Sequence, residues 1–196
     1  MKEVLFVDCC IRREDSRTKK LADYFLEGLA KKEGYHVKKL CLMDESISYF
    51  TDGFFAQREA LLAAKQLDHP RFRYAKEFAQ ADKIVIAAPF WDLSFPALLK
   101  VYIENLCVEG ITFAAGETGC FGICKADHMV YLTSRGGLYE NNPMEMGSRY
   151  MEAMSHFFGI QSYDCVAAEG LDAGIRPVED ILQDAKKEID EVLKHF

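Results

Sequence analysis

The sequence predicts a single α/β domain built around a parallel sheet. Runs of β-branched and apolar residues alternate with amphipathic helical segments from end to end. There are five such strand-like runs, and helices separate them, which is the pattern of parallel strands joined by crossovers. No internal repeat, linker or low-complexity stretch divides the 196 residues, so 1–196 is read as one domain. A chain of this length buries roughly 70% of its unfolded surface.

The elements follow in order. Val4 to Asp8 is the first strand. Ser16 to about Lys32 is a helix with Leu21, Tyr24, Phe25 and Leu29 on one face, ended by Gly34. His36 to Leu42 is the second strand, and Glu45 to Gly53 is a polar surface excursion carrying Tyr49 and Phe50. Phe54 to Ala81 reads mostly as helix, with an interruption at Pro70. Lys83 to Ala88 is the third strand. Phe95 to Cys107 is a helix that accepts Pro96 in its first turn. Ile111 to Gly122, rich in Gly and Phe, is a short hairpin or loop. His128 to Thr133 is the fourth strand, Glu145 to Phe158 a helix ended by Gly159, and Gln161 to Ala167 the fifth strand. Pro177 to His195 is the terminal helix, with Lys186, Lys187 and Lys194 in its later turns.

Composition removes several function classes. A net charge of −7 argues against nucleic acid and against an anionic membrane surface, both of which need a basic face. The basic residues near Arg12, Arg13, Arg17, Lys19 and Lys20 are a local cluster only. No apolar run approaches the roughly 18 to 20 residues of a transmembrane helix. The first apolar run is only Val4 to Val7, closed by Asp8, so it reads as a strand rather than a signal peptide and implies a cytoplasmic protein. The seven cysteines, an odd number, fit free thiols in a reducing compartment. Cys120, Cys124 and His128 lack the paired-knuckle spacing of a zinc site, so no metal is assigned.

Three loops carry the chemistry. Each follows a parallel strand, so all three lie at the carboxyl edge of the sheet, where open α/β sheets bind ligands. The first, Cys9 to Thr18, has neither GxGxxG nor GxxxxGK[ST]. It does place Ser16 and Thr18 beside Arg17 at a helix start, a combination suited to one terminal phosphate. Taken alone, the same letters are better read as a plain Asp15 or Ser16 cap with a solvated Arg17. The second loop is Pro89, Phe90, Trp91, Asp92, Leu93 and Ser94. Its two flat aromatics and one polar residue suit a flat heteroaromatic ligand, or serve as ordinary core. The third, Ser134, Arg135, Gly136, Gly137, Leu138 and Tyr139, has adjacent glycines that let the backbone approach a ligand. Alone it is a turn. Together the three supply a phosphate seat, an aromatic wall and a polar rim. In a sheet of order 2-1-3-4-5 the switch point falls between strands one and three, among these loops.

The segments IAAPFWDLSFPALLKVYIENLCVEGITF, YLTSRGGLY and AAEG (Ala167 to Gly170) resemble the FMN-dependent NAD(P)H azoreductases and quinone reductases. The likeness runs over nearly the whole chain, and over VLFVDCCIRREDSRTKKLADYF in spacing more than in letters. The resemblance implies a flavodoxin-like three-layer sandwich with a five-stranded parallel sheet of order 2-1-3-4-5. It implies FMN bound by Cys10, Ser16, Arg17 and Thr18, by Pro89, Phe90, Trp91, Asp92 and Leu93, and by Ser134, Arg135, Gly136 and Gly137. It implies NADH or NADPH as donor, a quinone or azo compound as acceptor, two-electron ping-pong turnover and a homodimer. The aromatics of Tyr49 to Phe55 and Ile111 to Phe121 are candidates for that interface, for a lid, or equally for packing within the chain. The flavin carries the hydride chemistry, so no side chain is assigned as catalytic, and none of the five histidines is required. This chain departs from the pattern at Cys10, where serine is common, and at Asp92, where asparagine is common. An ionised Asp92 only accepts hydrogen bonds and repels negative charge on a reduced flavin, so either the flavin potential or the protonation of Asp92 is expected to differ from a typical member. The rival readings are a reductase that releases reduced FMN, and a non-enzymatic electron carrier or redox sensor using Cys9 and Cys10.

Overall fold

The structure is a computed structural model describing Met1–Phe196. Five strands form one parallel sheet: β1 (Lys2–Asp8), β2 (Tyr35–Cys41), β3 (Lys83–Ala87), a strand at His128–Ser134 and another at Ser162–Ala168. A two-stranded antiparallel hairpin, β4 (Phe113–Gly116) and β5 (Gly119–Gly122), precedes the last two, which are therefore β6 and β7. The sheet order is β2-β1-β3-β6-β7, the expected 2-1-3-4-5 arrangement of the core strands. All four pairings are parallel, with Val7 opposite Ile86 and Ile86 opposite Tyr131.

Side-chain alternation along the strands divides the core into two layers. Val4, Phe6, Val85, Ala87, Val130 and Leu132 face α1 (Arg17–Ala30) and the terminal helix Val178–His195. Leu5, Val7, Ile84, Ile86, Met129 and Tyr131 face the opposite way, onto α3 (Arg73–Gln80), α4 (Ala97–Leu106) and α5 (Gly147–Phe157). The three central strands are apolar on both faces because helices cover both. Numbering in chain order, α2 is Asp52–Ala63 and the terminal helix is α6. No helix is long and apolar enough to cross a membrane.

Several boundaries differ from the sequence reading. The long segment read as helix from Phe54 breaks at Ala64, before Pro70, because Lys65 adopts a left-handed conformation with φ 55°. A 3-10 turn over Pro70–Phe72 then leads into α3. The first helix ends at Ala30 rather than at Gly34, whose φ of 91° instead turns the chain into β2. Proline at position 96 caps α4 from outside rather than sitting in its first turn, and α5 starts at Gly147 rather than Glu145, because the Glu145 carboxylate folds back to accept from the Ser148 amide.

Candidate functional site

The loops after β1, β3 and β6 converge on one cavity of about 480 Å³, lined by Ser16, Arg17, Trp91, Asp92, Ser134, Gly136 and their neighbours. It lies at the carboxyl edge between β1 and β3, where the strand order reverses.

The first loop is built from Asp8 outward. Asp8 Oδ1 accepts from the Cys10 amide at 2.8 Å, turning the chain off the strand. A 3-10 turn at Arg13–Asp15 follows, and Ser16 caps α1 by accepting from the Lys19 amide at 3.3 Å. The Arg17 and Thr18 amides, in the first turn of α1, donate to no protein acceptor. Two unused N–H groups at the positive end of a 14-residue helix make an anion seat. The solvated Arg17 of the simpler reading is not observed. Its guanidinium forks onto Asp172 at 2.8 and 2.9 Å, which raises the Arg17 pKa and holds the Asp172 carboxyl below the usual carboxylate range.

The second loop is a tight two-residue turn. Ser94 N donates to Trp91 O at 2.8 Å and Trp91 N to Ser94 O at 3.1 Å. Asp92 and Leu93 take φ of 50° and 66°, the left-handed pair that a type I′ turn requires. Aspartate tolerates that region; leucine is strained there. The turn projects Trp91 and Leu93, which remain 41% and 40% exposed, so they form a wall and not core. Phe90 packs at 4.6 Å against the Tyr139 ring and supports that wall from behind.

The third loop is pinned by the turn after β7. Leu171 N donates to Arg135 O, Asp172 N to Gly136 O and Gly170 N to Gly137 O. The amides of Gly136 and Gly137 donate to no protein acceptor, so both are available to the cavity. A Cβ on Gly136 would fall 2.5 Å from Asp172 Oδ2, so glycine there lets the Arg17–Asp172 pair lie against the loop.

Of the residues expected in the site, Ser16, Arg17, Pro89, Phe90, Trp91, Asp92, Leu93, Ser134, Gly136 and Gly137 line the cavity. Cys10, Thr18 and Arg135 do not line it; they lie beneath. The Cys10 thiol is buried and donates to Ala87 O at 3.8 Å. Thr18 and Ser134 share a buried 2.7 Å hydroxyl bond that locks the first loop to the third. The Arg135 guanidinium turns away from the cavity, to Glu145 at 3.1 Å and to Glu169. Sequence reasoning missed Arg12, Tyr139 and Asp172. Tyr139 closes the Gly-Gly loop and was within reach of sequence inspection. Asp172 has no local signal, since only the fold brings it across 155 positions to Arg17.

This arrangement matches known proteins along its whole length. The family described as flavodoxin-like fold matches residues 2–193. The chain belongs to the flavodoxin-like fold family. Among its relatives, the FMN-dependent NADH:quinone oxidoreductase 2 of Clostridium acetobutylicum is 40% identical, over 100% of both chains. The FMN-dependent NADH:quinone oxidoreductase of Clostridium perfringens is 36% identical over 96% of this chain and 97% of its own. The crystal structure of an azoreductase from Bacillus anthracis superposes with a TM-score of 0.90 at 28% identity, over 100% of each chain.

The cavity fits a flavin mononucleotide on its own terms. Its volume lies in the range of small-ligand sites. Its two free helix amides suit a phosphate, its exposed Trp91 a flat ring face, and its two free glycine amides a polar ring edge. A larger cavity of about 780 Å³ lies beside it, between the loop at 138–149 and α6. Glu140, Glu145, Glu169, Asp184 and Glu188 line that second cavity against Arg135, Arg149 and Arg176, so carboxylates outnumber cations there.

Proposed function

We propose that the protein is an FMN-dependent NADH oxidoreductase that reduces quinones or azo compounds by two electrons in a ping-pong cycle. The observation that carries this reading is the set of unpartnered amides, of Arg17, Gly136 and Gly137 on a cavity walled by Trp91 at the β1–β3 switch point and of the adjacent Thr18 at the start of α1. The relatives named as FMN-dependent NADH:quinone oxidoreductases support the cofactor, donor and acceptor.

Bound FMN supplies hydride acceptance from the nicotinamide and two-electron delivery to the acceptor. The chain's residues do the rest. Ser16 and the first-turn amides of α1 would hold the phosphate. Phe90, Trp91 and Leu93 hold the ring and keep water from one side. The Gly136 and Gly137 amides stabilise negative charge on the ring's polar edge, at no reorganisation cost because the 168–172 turn already fixes them. Asp92, exposed on the turn tip, opposes that charge. The Thr18–Ser134 hydroxyl bond and the Arg135 ion pairs fix the loops in place.

A homodimer is part of the proposal. Support comes from Tyr49, Phe55 and Phe121, which stay 67%, 49% and 54% exposed, and from an apolar groove edged by Phe50, Phe55, Ile103, Tyr150 and Phe157. A reducing, cytoplasmic setting is supported by seven cysteines that are all free. A redox-sensing pair at Cys9 and Cys10 gains no support. Both thiols are buried, and burial followed by the nearby Asp8 pushes Cys9 up to about 12 and Cys10 higher still.

The test is direct. Purified protein binds FMN at one per chain and oxidises NADH with a quinone or azo dye, showing parallel double-reciprocal plots. Stoichiometric FMN without turnover on any acceptor refutes the enzyme, and loss of flavin on gel filtration favours a reductase that releases it. Sedimentation gives the oligomeric state.

A further inference from the structure

At the amino edge of the sheet, opposite the cavity, three separate elements bring three ligand-type side chains together. His128 opens β6, Asp164 lies in β7 and His195 ends α6. Nε2 of His128 lies 2.8 Å from Asp164 Oδ2, and Nε2 of His195 lies 2.9 Å from the same oxygen. All three ligand atoms fall within 4.8 Å of one another. The two imidazoles stack at 5.6 Å with 17° between their planes.

The cluster is held rigidly from behind. His128 is buried and packs 5.3 Å from the Phe196 ring. Phe196 packs in turn on Phe25 at 5.1 Å, and its carbonyl accepts from the Tyr35 hydroxyl at 2.7 Å. Lys32 donates to the Leu193 carbonyl, so the last turn of α6 is tied at two points and His195 is not on a loose end. The front is open: the His195 side chain is 59% exposed and Asp164 31%. Behind the cluster, Lys83 sits 4.8 Å from the Phe196 ring, and its charge is paired with Asp127 at 2.7 Å.

We propose that His128, Asp164 and His195 form a binding site for a divalent transition-metal ion of the zinc class. Two imidazole nitrogens and one carboxylate oxygen are the donor set such ions favour, and water completes the tetrahedron from the open side. Ligand bonds of about 2.0 to 2.2 Å in a tetrahedron set donor atoms roughly 3.3 Å apart, so the two histidine–carboxylate separations need to open by only about half an ångström, while the two nitrogens already lie within 4.8 Å of each other. Neither histidine Nδ1 has a protein acceptor, so each ring can carry its proton there and leave Nε2 free for the ion. The ion clips α6 to β6 and β7, at the end of the sheet remote from the flavin cavity.

Cobalt(II) titration of the full, FMN-loaded chain tests this, because cobalt substitutes for zinc and reports its ligands by absorption. The expected result is one ion per chain with tetrahedral visible bands and no thiolate charge-transfer band. Asp164→Asn and His195→Asn each weaken binding by about tenfold or more, the least that losing a direct ligand costs. Both positions are partly exposed, and unchanged far-UV dichroism and NADH turnover in the variants show that the fold is intact. Equal affinity in the variants, a thiolate band, or no binding below millimolar cobalt overturns the proposal.

Discussion

Replacing Arg135 with methionine removes the only cation from a buried cluster. Arg135, Glu145 and Glu169 are 5%, 7% and 14% exposed in their side chains, and the guanidinium reaches both carboxylates. Those carboxylates in turn order the loop that frames the cavity. Glu169 accepts from the Tyr139 and Glu140 amides at 3.0 and 2.9 Å, and Glu145 accepts from the Ser148 amide at 2.9 Å. Without Arg135, two carboxylates sit close together, desolvated and without a counter-ion. Breaking a buried ion pair on one side costs roughly 3 to 5 kcal/mol, a large share of a typical stability of about 5 to 15. Urea unfolding of the apo protein, followed by far-UV dichroism, is expected to show a loss in that range. Adding Glu145→Gln and Glu169→Gln to Arg135→Met is expected to restore about 1 to 3 kcal/mol, because neutral groups of similar volume carry a smaller desolvation penalty. Because Gly136 and Gly137 follow Arg135 directly, FMN affinity measured by fluorescence quenching is expected to fall about tenfold, equivalent to some 1.4 kcal/mol. A stability loss under about 1 kcal/mol would refute the buried-cluster argument. Lost FMN affinity with unchanged stability would show instead that Arg135 touches the ligand itself.

Leu93→Gly is expected to raise the unfolding midpoint, with a gain of up to about 1 kcal/mol, because glycine carries no left-handed penalty at φ 66°; a lower midpoint would mean that side-chain packing outweighs the strain. Asp92→Asn is expected to raise the midpoint potential of bound FMN by about 20 mV, the effect of one unit charge at roughly 4 Å in water-like surroundings on a two-electron couple. Spectroelectrochemistry reads this, and an unchanged potential would remove Asp92 from the flavin's field. A thiol reagent at pH 8 is expected to label Cys120, the exposed cysteine, well before Cys9, Cys10, Cys124 and Cys165. Burial raises the last four, so the unfolded chain releases those protons first. Their contribution to stability is full below pH 9, the ordinary thiol value, and is lost as pH rises toward about 12 for Cys9, Cys124 and Cys165 and higher still for Cys10. Denaturant titrations at pH 8 and pH 10.5 check the sign.

The sheet and the place of the site are legible in the amino-acid sequence. Apolar runs such as KIVIA and HMVYL mark central strands buried on both faces, and a parallel strand followed by a helix puts its loop at the carboxyl edge whatever the loop's letters. Three informative loops therefore had to meet, and ten of the positions read from them do line the cavity, from Ser16 to Gly137. Local chemistry carried that information: Ser16 caps its own helix and Asp92 sits in its own turn. Which residues face the cavity and which support it from behind is settled by packing between distant segments. Arg135 looks like a ligand residue in sequence, yet it is drawn back by Glu145 and Glu169, 10 and 34 positions away. Asp172 and His195 carry no motif at all; Asp172 matters because the turn after β7 crosses to Arg17, and His195 because α6 ends beside β6 and β7. Short-range hydrogen bonding and periodicity are written residue by residue. Pairing of charges across layers depends on where the packed helices leave them.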